Sequence, residues 1–192
     1  MDTRPQSEDI SHALEVLRAG GLILYPTDTI WGIGCDATNP TAVERVYQLK
    51  GRDHSKSLIA LLGNENQLVA YVNEVPEVAY QLIEYTERPL TIVYSGAKNL
   101  APNLIADDGS VGIRIVNHVF CDPLLQRFRK PIVSTSANLS GQPAPKNFAD
   151  ISDEIINQVD YVVRYGQDDE EKQQASMVMK LEARQRSKSA SL

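Results

Sequence analysis

Short apolar runs of strand length recur along this 192-residue chain, each stopped by proline, glycine or hydroxyl residues, and helix-period segments lie between several of them. That alternation limits the folds open to it. Leu22–Tyr25, Leu58–Leu62, Leu90–Tyr94, Val111–Val116 and Ile132–Ser136 read as strands, with a weaker one at Tyr161–Arg164. Ile10, Ala13, Leu14 and Leu17 recur at helical spacing between Ser7 and Ala19, and Gly20-Gly21 stops them. A second helix is expected over Thr41–Lys50, capped by Asn39 or Thr41 with Pro40 in its first turn, and a third over Glu77–Tyr85 after Pro76. The series fits an α/β fold, a single-domain twisted mixed sheet with flanking helices, rather than a sandwich or a bundle. We expect one domain over residues 7–181 and a basic, serine-rich, mobile tail over residues 182–192, which has little to bury.

Composition narrows the function classes. Apolar residues make up 42% and no apolar run approaches bilayer length, so no membrane association is expected. Met1 to Asp9 is polar and acidic, without the basic and apolar regions of a signal peptide, and a cytoplasmic location is expected. Cys35 and Cys121 are then free thiols. A formal charge of −6 disfavours a broadly basic nucleic-acid surface, though a local basic patch on an acidic body stays open. Small substrates fit better.

Four segments carry residues suited to chemistry. In Tyr25-Pro-Thr-Asp-Thr-Ile-Trp-Gly-Ile-Gly34 a strand delivers Thr27, Asp28 and Thr29 to a turn, either as a site wall or as a turn whose side chains satisfy local backbone groups. Lys50-Gly-Arg-Asp-His-Ser-Lys56 places three cations beside a strand. Lysine is a mobile point charge for phosphate and arginine a planar two-pronged donor, so Lys50, Arg52 and Lys56 suit a triphosphate or bicarbonate. The alternative is a solvated loop that complements the preceding helix dipole.

Period two in Val111-Gly-Ile-Arg-Ile-Val116 puts Gly112, Arg114 and Val116 on one face. If that face is enclosed, Arg114 needs an acidic partner or an anionic ligand; on an edge strand it would stand in water. In Pro131-Ile-Val-Ser-Thr-Ser-Ala-Asn138 the same period aligns Ser134, Ser136 and, if the strand continues, Asn138, a row able to hydrogen-bond phosphate or ribose. It reads equally as a polar strand end entering a turn. Neither familiar phosphate loop is present, the histidines are scattered, and no Cys-x-x-Cys or Gly-x-Ser-x-Gly occurs. No protein-ligated metal and no nucleophilic triad are expected.

Taken in order, Tyr-Pro-Thr-Asp-Thr-Ile-Trp-Gly-Ile-Gly-Cys-Asp-Ala, Lys-Gly-Arg, Pro-Leu-Thr, Gly-Ile-Arg-Ile and Ser-Thr-Ser-Ala-Asn-Leu-Ser-Gly resemble the YrdC-like threonylcarbamoyl-AMP synthase family, over roughly Ile10 to Leu181. The resemblance implies a YrdC-like fold around a concave cavity and a nucleotidyltransferase that joins L-threonine, bicarbonate and ATP for tRNA modification. It implies that Lys50 and Arg52 are catalytic and hold bicarbonate and phosphates, with Lys56 assisting. It further implies that Ser134, Ser136, Asn138 and Ser140 bind the nucleotide. Thr27, Thr29, Arg114 and Ser176 would hold threonine, with Arg114 on its carboxylate. Mg²⁺ would arrive with ATP, and partners would extend to tRNA and the proteins that transfer the threonylcarbamoyl group. An RNA-binding or ribosome-associated module of the same fold, or a paralogue with another acceptor, is the alternative. Asp53 and Ser57 stand where the family often has proline, and Met177 where it often has threonine or serine. The arginine of the family's closing strand is poorly matched by Arg184 or Arg186.

Overall fold

The computed structural model describes residues 7–54, 58–170 and 174–181. Lys56, Ser57, Arg184, Arg186 and the expected tail at 182–192 lie outside the described residues. Helix α1 (Ser7–Arg18) buries Ile10, Ala13, Leu14 and Leu17, the positions its periodicity selects. Helix α2 (Pro40–Lys50) starts at Asn39, whose side chain accepts the Thr41 and Ala42 N–H groups at 3.0 and 3.2 Å, with Pro40 in the first turn where no N–H is needed. Short α3 (Leu68–Tyr71), then α4 (Glu77–Tyr85), α5 (Cys121–Phe128) and α6 (Asp153–Ile156) complete the described α-helices.

Strands β1 (Ile23–Tyr25), β2 (Gly32–Gly34), β3 (Ile59–Leu62), β4 (Leu90–Tyr94), β5 (Val111–Ile115), β6 (Ile132–Ser136), β7 (Tyr161–Val162) and β8 (Met177–Lys180) form one mixed sheet among the described residues. Their order is β7-β1-β2-β6-β3-β5-β4-β8. Two of these strands are absent from the sequence reading. Strand β2 has three residues, two of them glycine, and β8 is exposed along its whole length, its short Met177-Val-Met179 run burying nothing that would mark a core strand. The weak strand expected over Tyr161–Arg164 shortens to Tyr161–Val162, where it pairs in parallel with β1.

Pairing builds two unlike faces. Arg114 aligns with Leu61 of β3 and Thr91 of β4, while Gly112 aligns with Ile59 and Val93. Ile59 in turn aligns with Ser134 of β6, and Ser136 with Gly32 of β2. Because side chains alternate along a strand, Thr91, Arg114, Ser134 and Ser136 share one face. The other face carries Ala60, Leu62, Ile92, Tyr94, Ile113 and Val133, all buried, and at one end of the sheet α1 packs on α5, β1 and β7. Both cysteines are free and buried. No helix among the described residues is long and apolar enough to cross a membrane.

Gly34 shows how tightly β2 is held between its neighbours. A Cβ there would lie 2.6 Å from Tyr25 Cε1 and 2.8 Å from the Val133 carbonyl oxygen, and a backbone atom cannot swing aside. Gly34→Ala is therefore expected to lower stability by about 1–3 kcal/mol, read as a shift of the urea midpoint with unchanged slope.

Candidate active site

The polar face of the sheet opens into a cavity of about 490 Å³, within the size range of small-molecule clefts. Arg52, Arg114, Thr29, Thr91, Ser134, Ser136 and Ser176 bring its polar groups, and Leu58, Ile59, Val93, Val111 and Val178 its apolar ones. Two guanidinium groups thus meet a set of hydroxyls with no carboxylate among the described lining residues. An anion with an apolar or aromatic body suits that lining.

Local backbone chemistry places each cation. Helix α2 ends at Gly51 in the left-handed conformation, with φ of 55°, while the Gly51 and Arg52 N–H groups cap the Gln48 and Tyr47 carbonyls at 3.1 and 3.0 Å. The chain reverses there, and Arg52 reaches the cavity. Glycine is the residue that takes this φ without a Cβ penalty, so the glycine of Lys50-Gly-Arg shapes the turn.

Lys50 does something other than line the cavity. It is only 1% exposed, and its Nζ donates to the Ser136 and Asn138 carbonyls at 2.5 and 2.6 Å, while the Ser140 N–H returns to the Lys50 carbonyl at 2.8 Å. The amine ties the end of β6 and the following loop to α2. Burial, with a smaller push from the Arg52 charge, lowers its pKa to about 8. An unfolded lysine holds its proton up to about 10.5, so between these values the unfolded chain binds more protons than the folded one. The cost of the buried ammonium is full below pH 8 and fades above it. Wild type is expected to gain stability relative to Lys50→Met as pH rises from about 8 to about 9.5, below the range where buried tyrosines intervene; paired urea titrations measure the gap.

Arg114 lies on a central strand and is 3% exposed, which removes the solvent-facing edge-strand reading. Its acidic partner is Asp28: Nη2 stands 3.1 Å from Oδ1, and also donates to Thr27 Oγ1 at 3.4 Å. Burial raises the Asp28 pKa, against the lowering influence of Arg114 and of the Asn117 and Asp28 N–H groups. Arg114 Nε has no hydrogen-bond partner.

The remaining expected residues divide between the cavity and its supports. Thr29, Ser134, Ser136 and Ser176 line it together with Arg52 and Arg114. Thr27 is buried behind it, bonded to Thr29 Oγ1 at 3.0 Å and donating to the Ile30 carbonyl at 2.9 Å. Strand β6 ends at Ser136, so Asn138 does not continue the row; its amide donates to the Leu139 and Gln142 carbonyls. Neither Asn138 nor Ser140 is among the lining residues. Ser176 meets Thr91 Oγ1 at 2.9 Å, and this contact brings the residue before β8 to the cavity. Thr91, Val93 and Val178 are lining residues to which the sequence gives no site role, although Thr91 lies in the Pro-Leu-Thr motif and period two over Leu90–Tyr94 pairs it with Val93. No group of three or more His, Cys, Asp or Glu able to hold a metal occurs among the described residues.

Residues 15–188 match the family of Sua5, YciO and YrdC proteins, whose description reads telomere recombination. The chain belongs to this family. The threonylcarbamoyl-AMP synthase of Pseudoalteromonas translucida (strain TAC 125) is 36% identical to it over 157 residues, 80% of this chain and 84% of that protein. E. coli YciO superposes with a TM-score of 0.82 at 26% identity, covering 94% of this chain and 87% of YciO. P. abyssi Sua5 complexed with L-threonine superposes with a TM-score of 0.79 at 25% identity, covering 93% of this chain and 53% of Sua5. The chain thus spans about half the length of the Sua5 protein it matches. The YrdC-like fold implied by the ordered motifs is the fold observed, and in this chain the cavity lies where the Tyr-Pro-Thr-Asp-Thr, Lys-Gly-Arg, Pro-Leu-Thr, Gly-Ile-Arg-Ile and Ser-Thr-Ser segments converge.

Proposed function

We propose that the protein forms L-threonylcarbamoyl-AMP and pyrophosphate from L-threonine, bicarbonate-derived CO₂ and ATP, in the cytoplasm, and that the product feeds N6-threonylcarbamoyladenosine modification of tRNA. The observation that carries this reading is the convergence of Arg52 and Arg114 on one hydroxyl-lined cavity with no carboxylate among its described lining residues. The identity to a synthase and the likeness to a Sua5 complexed with L-threonine support the same substrates.

In this reading Arg114 holds the threonine carboxylate through donors left over from its ion pair with Asp28, and Thr29 and Ser176 border the same amino acid. The threonine amine adds to CO₂ and loses a proton, giving a carbamate. A carbamate oxygen then bonds to the α-phosphorus of ATP as the bond from that phosphorus to the α,β-bridging oxygen breaks, and pyrophosphate leaves with that oxygen. Arg52 faces the phosphates and stabilises charge on the leaving group, while Ser134 and Ser136 donate to the nucleotide. Lys50 acts from behind, fixing the backbone that presents those serines and adding positive charge. Positioning and charge stabilisation supply the rate, with no covalent enzyme intermediate. ATP enters as its Mg²⁺ complex, in which the metal neutralises the triphosphate.

The test is to incubate purified protein with ATP, threonine and bicarbonate, then measure pyrophosphate and detect the adenylate by mass spectrometry. Release that needs both threonine and bicarbonate supports the synthase. The likeness to YciO along 87% of its length favours a second reading, a paralogue with another acceptor. ATP binding without threonine-dependent pyrophosphate release would select it.

A further inference from the structure

Arg114 stands on β5 between β3 and β4, and an arginine side chain in that position has many rotamers but little room. What fixes it is the turn after β1. One terminal nitrogen, Nη2, takes both contacts from that turn, Asp28 Oδ1 at 3.1 Å and Thr27 Oγ1 at 3.4 Å, while Nε is buried without a hydrogen-bond partner. The turn is itself braced, because the Thr29 N–H donates to Thr27 Oγ1 at 3.1 Å and Thr27 Oγ1 donates to the Ile30 carbonyl. The backbone N–H groups of Asn117 and Asp28 also favour the charged form of the Asp28 carboxyl. Asp28 Oδ1 is buried and has no hydrogen-bond partner, so its hold on Arg114 is that of an ion pair rather than of an aligned donor. Asp28 is not among the cavity's lining residues; its neighbour Thr29 and Arg114 are.

We propose that Asp28 is a positioning residue: it pins one end of the Arg114 guanidinium at the back of the cavity and keeps the donors that the turn does not use available for the carboxylate of the amino-acid substrate. This rests on the reading in which Arg114 takes the threonine carboxylate. A carboxylate suits the task because it accepts without donating and balances the buried cation before substrate arrives. Without it, Arg114 would turn toward other acceptors and the substrate carboxylate would have to reorder the side chain on binding.

The consequence is selective. Asp28 governs the amino-acid half of the cavity and leaves the nucleotide half, around Arg52 and Ser134, in place. In threonine-dependent pyrophosphate release, Asp28→Asn is expected to raise the KM for L-threonine by about tenfold or more while the KM for ATP stays within about twofold. Asp28→Glu, which restores the charge on a longer arm, should lie between the two. Circular dichroism establishes that each variant is folded; if Asp28→Asn does not fold, Asp28→Glu carries the test, with an expected rise of about threefold in the threonine KM alone. An unchanged threonine KM in a folded variant, or equal rises for threonine and ATP, overturns the proposal while the synthase reading stands. A wild-type protein without threonine-dependent release overturns both.

Discussion

Arg52→Ala is expected to cut threonine-dependent pyrophosphate release by about 10²–10³-fold, the loss typical of removing one preorganised donor from a site of developing charge. The backbone that carries Arg52 does not depend on its side chain: the Gly51 turn and the Arg52 N–H bond to the Tyr47 carbonyl both survive the substitution. A urea midpoint separates any loss of stability from the loss of chemistry. Arg52→Lys should recover little, because an ammonium offers a point charge where a planar fork can span two phosphate oxygens. The measurement is kcat with both substrates saturating, alongside a urea midpoint. Turnover within a few-fold of wild type would remove Arg52 from the phosphate site and with it the main support for adenylate formation.

Much of this arrangement is legible in the sequence because it depends on neighbours in the chain. The Asn39 cap, Pro40 in the first turn and Gly51 past the last one mark out α2 and hence the place of Arg52. Period two is enough to put Arg114 with Gly112 and Ser134 with Ser136. What periodicity cannot supply is the element that lies opposite. Asp28 and Arg114 meet because β1 and β5 are folded into one sheet, and no spacing in the sequence couples them. Lys50 reads as a ligand from its type and its motif, but its amine bonds to two carbonyls more than eighty residues away, and burial sets its charge. Strand β8 escapes for the opposite reason. Its pairing with β4 is made of backbone bonds, and its exposed Met177-Val-Met-Lys180 carries no alternation toward a core. The Thr91 to Ser176 contact follows from that pairing and was equally hidden.

Arg114→Ala should be the most destabilising of the substitutions considered, by about 3–5 kcal/mol at neutral pH, because it strands the Asp28 carboxylate in a buried setting. The sign of its pH dependence follows from Asp28. Burial already raises that pKa in the folded protein, with Arg114 opposing, so loss of Arg114 raises it further. A carboxylate with a raised folded pKa costs stability above that pKa and ceases to do so below its unfolded value of about 3.9. The deficit of Arg114→Ala relative to wild type should accordingly shrink as pH falls from 7.5 toward 5. Removing the stranded charge should act in the same direction at constant pH. Arg114→Ala combined with Asp28→Asn is expected to be more stable than Arg114→Ala alone, by about 1–3 kcal/mol, although each single change is destabilising. Urea midpoints for the four members of this cycle measure the coupling directly. Additive losses in the double variant, or a deficit that does not vary with pH, would mean that the two groups are neighbours without being an energetic pair.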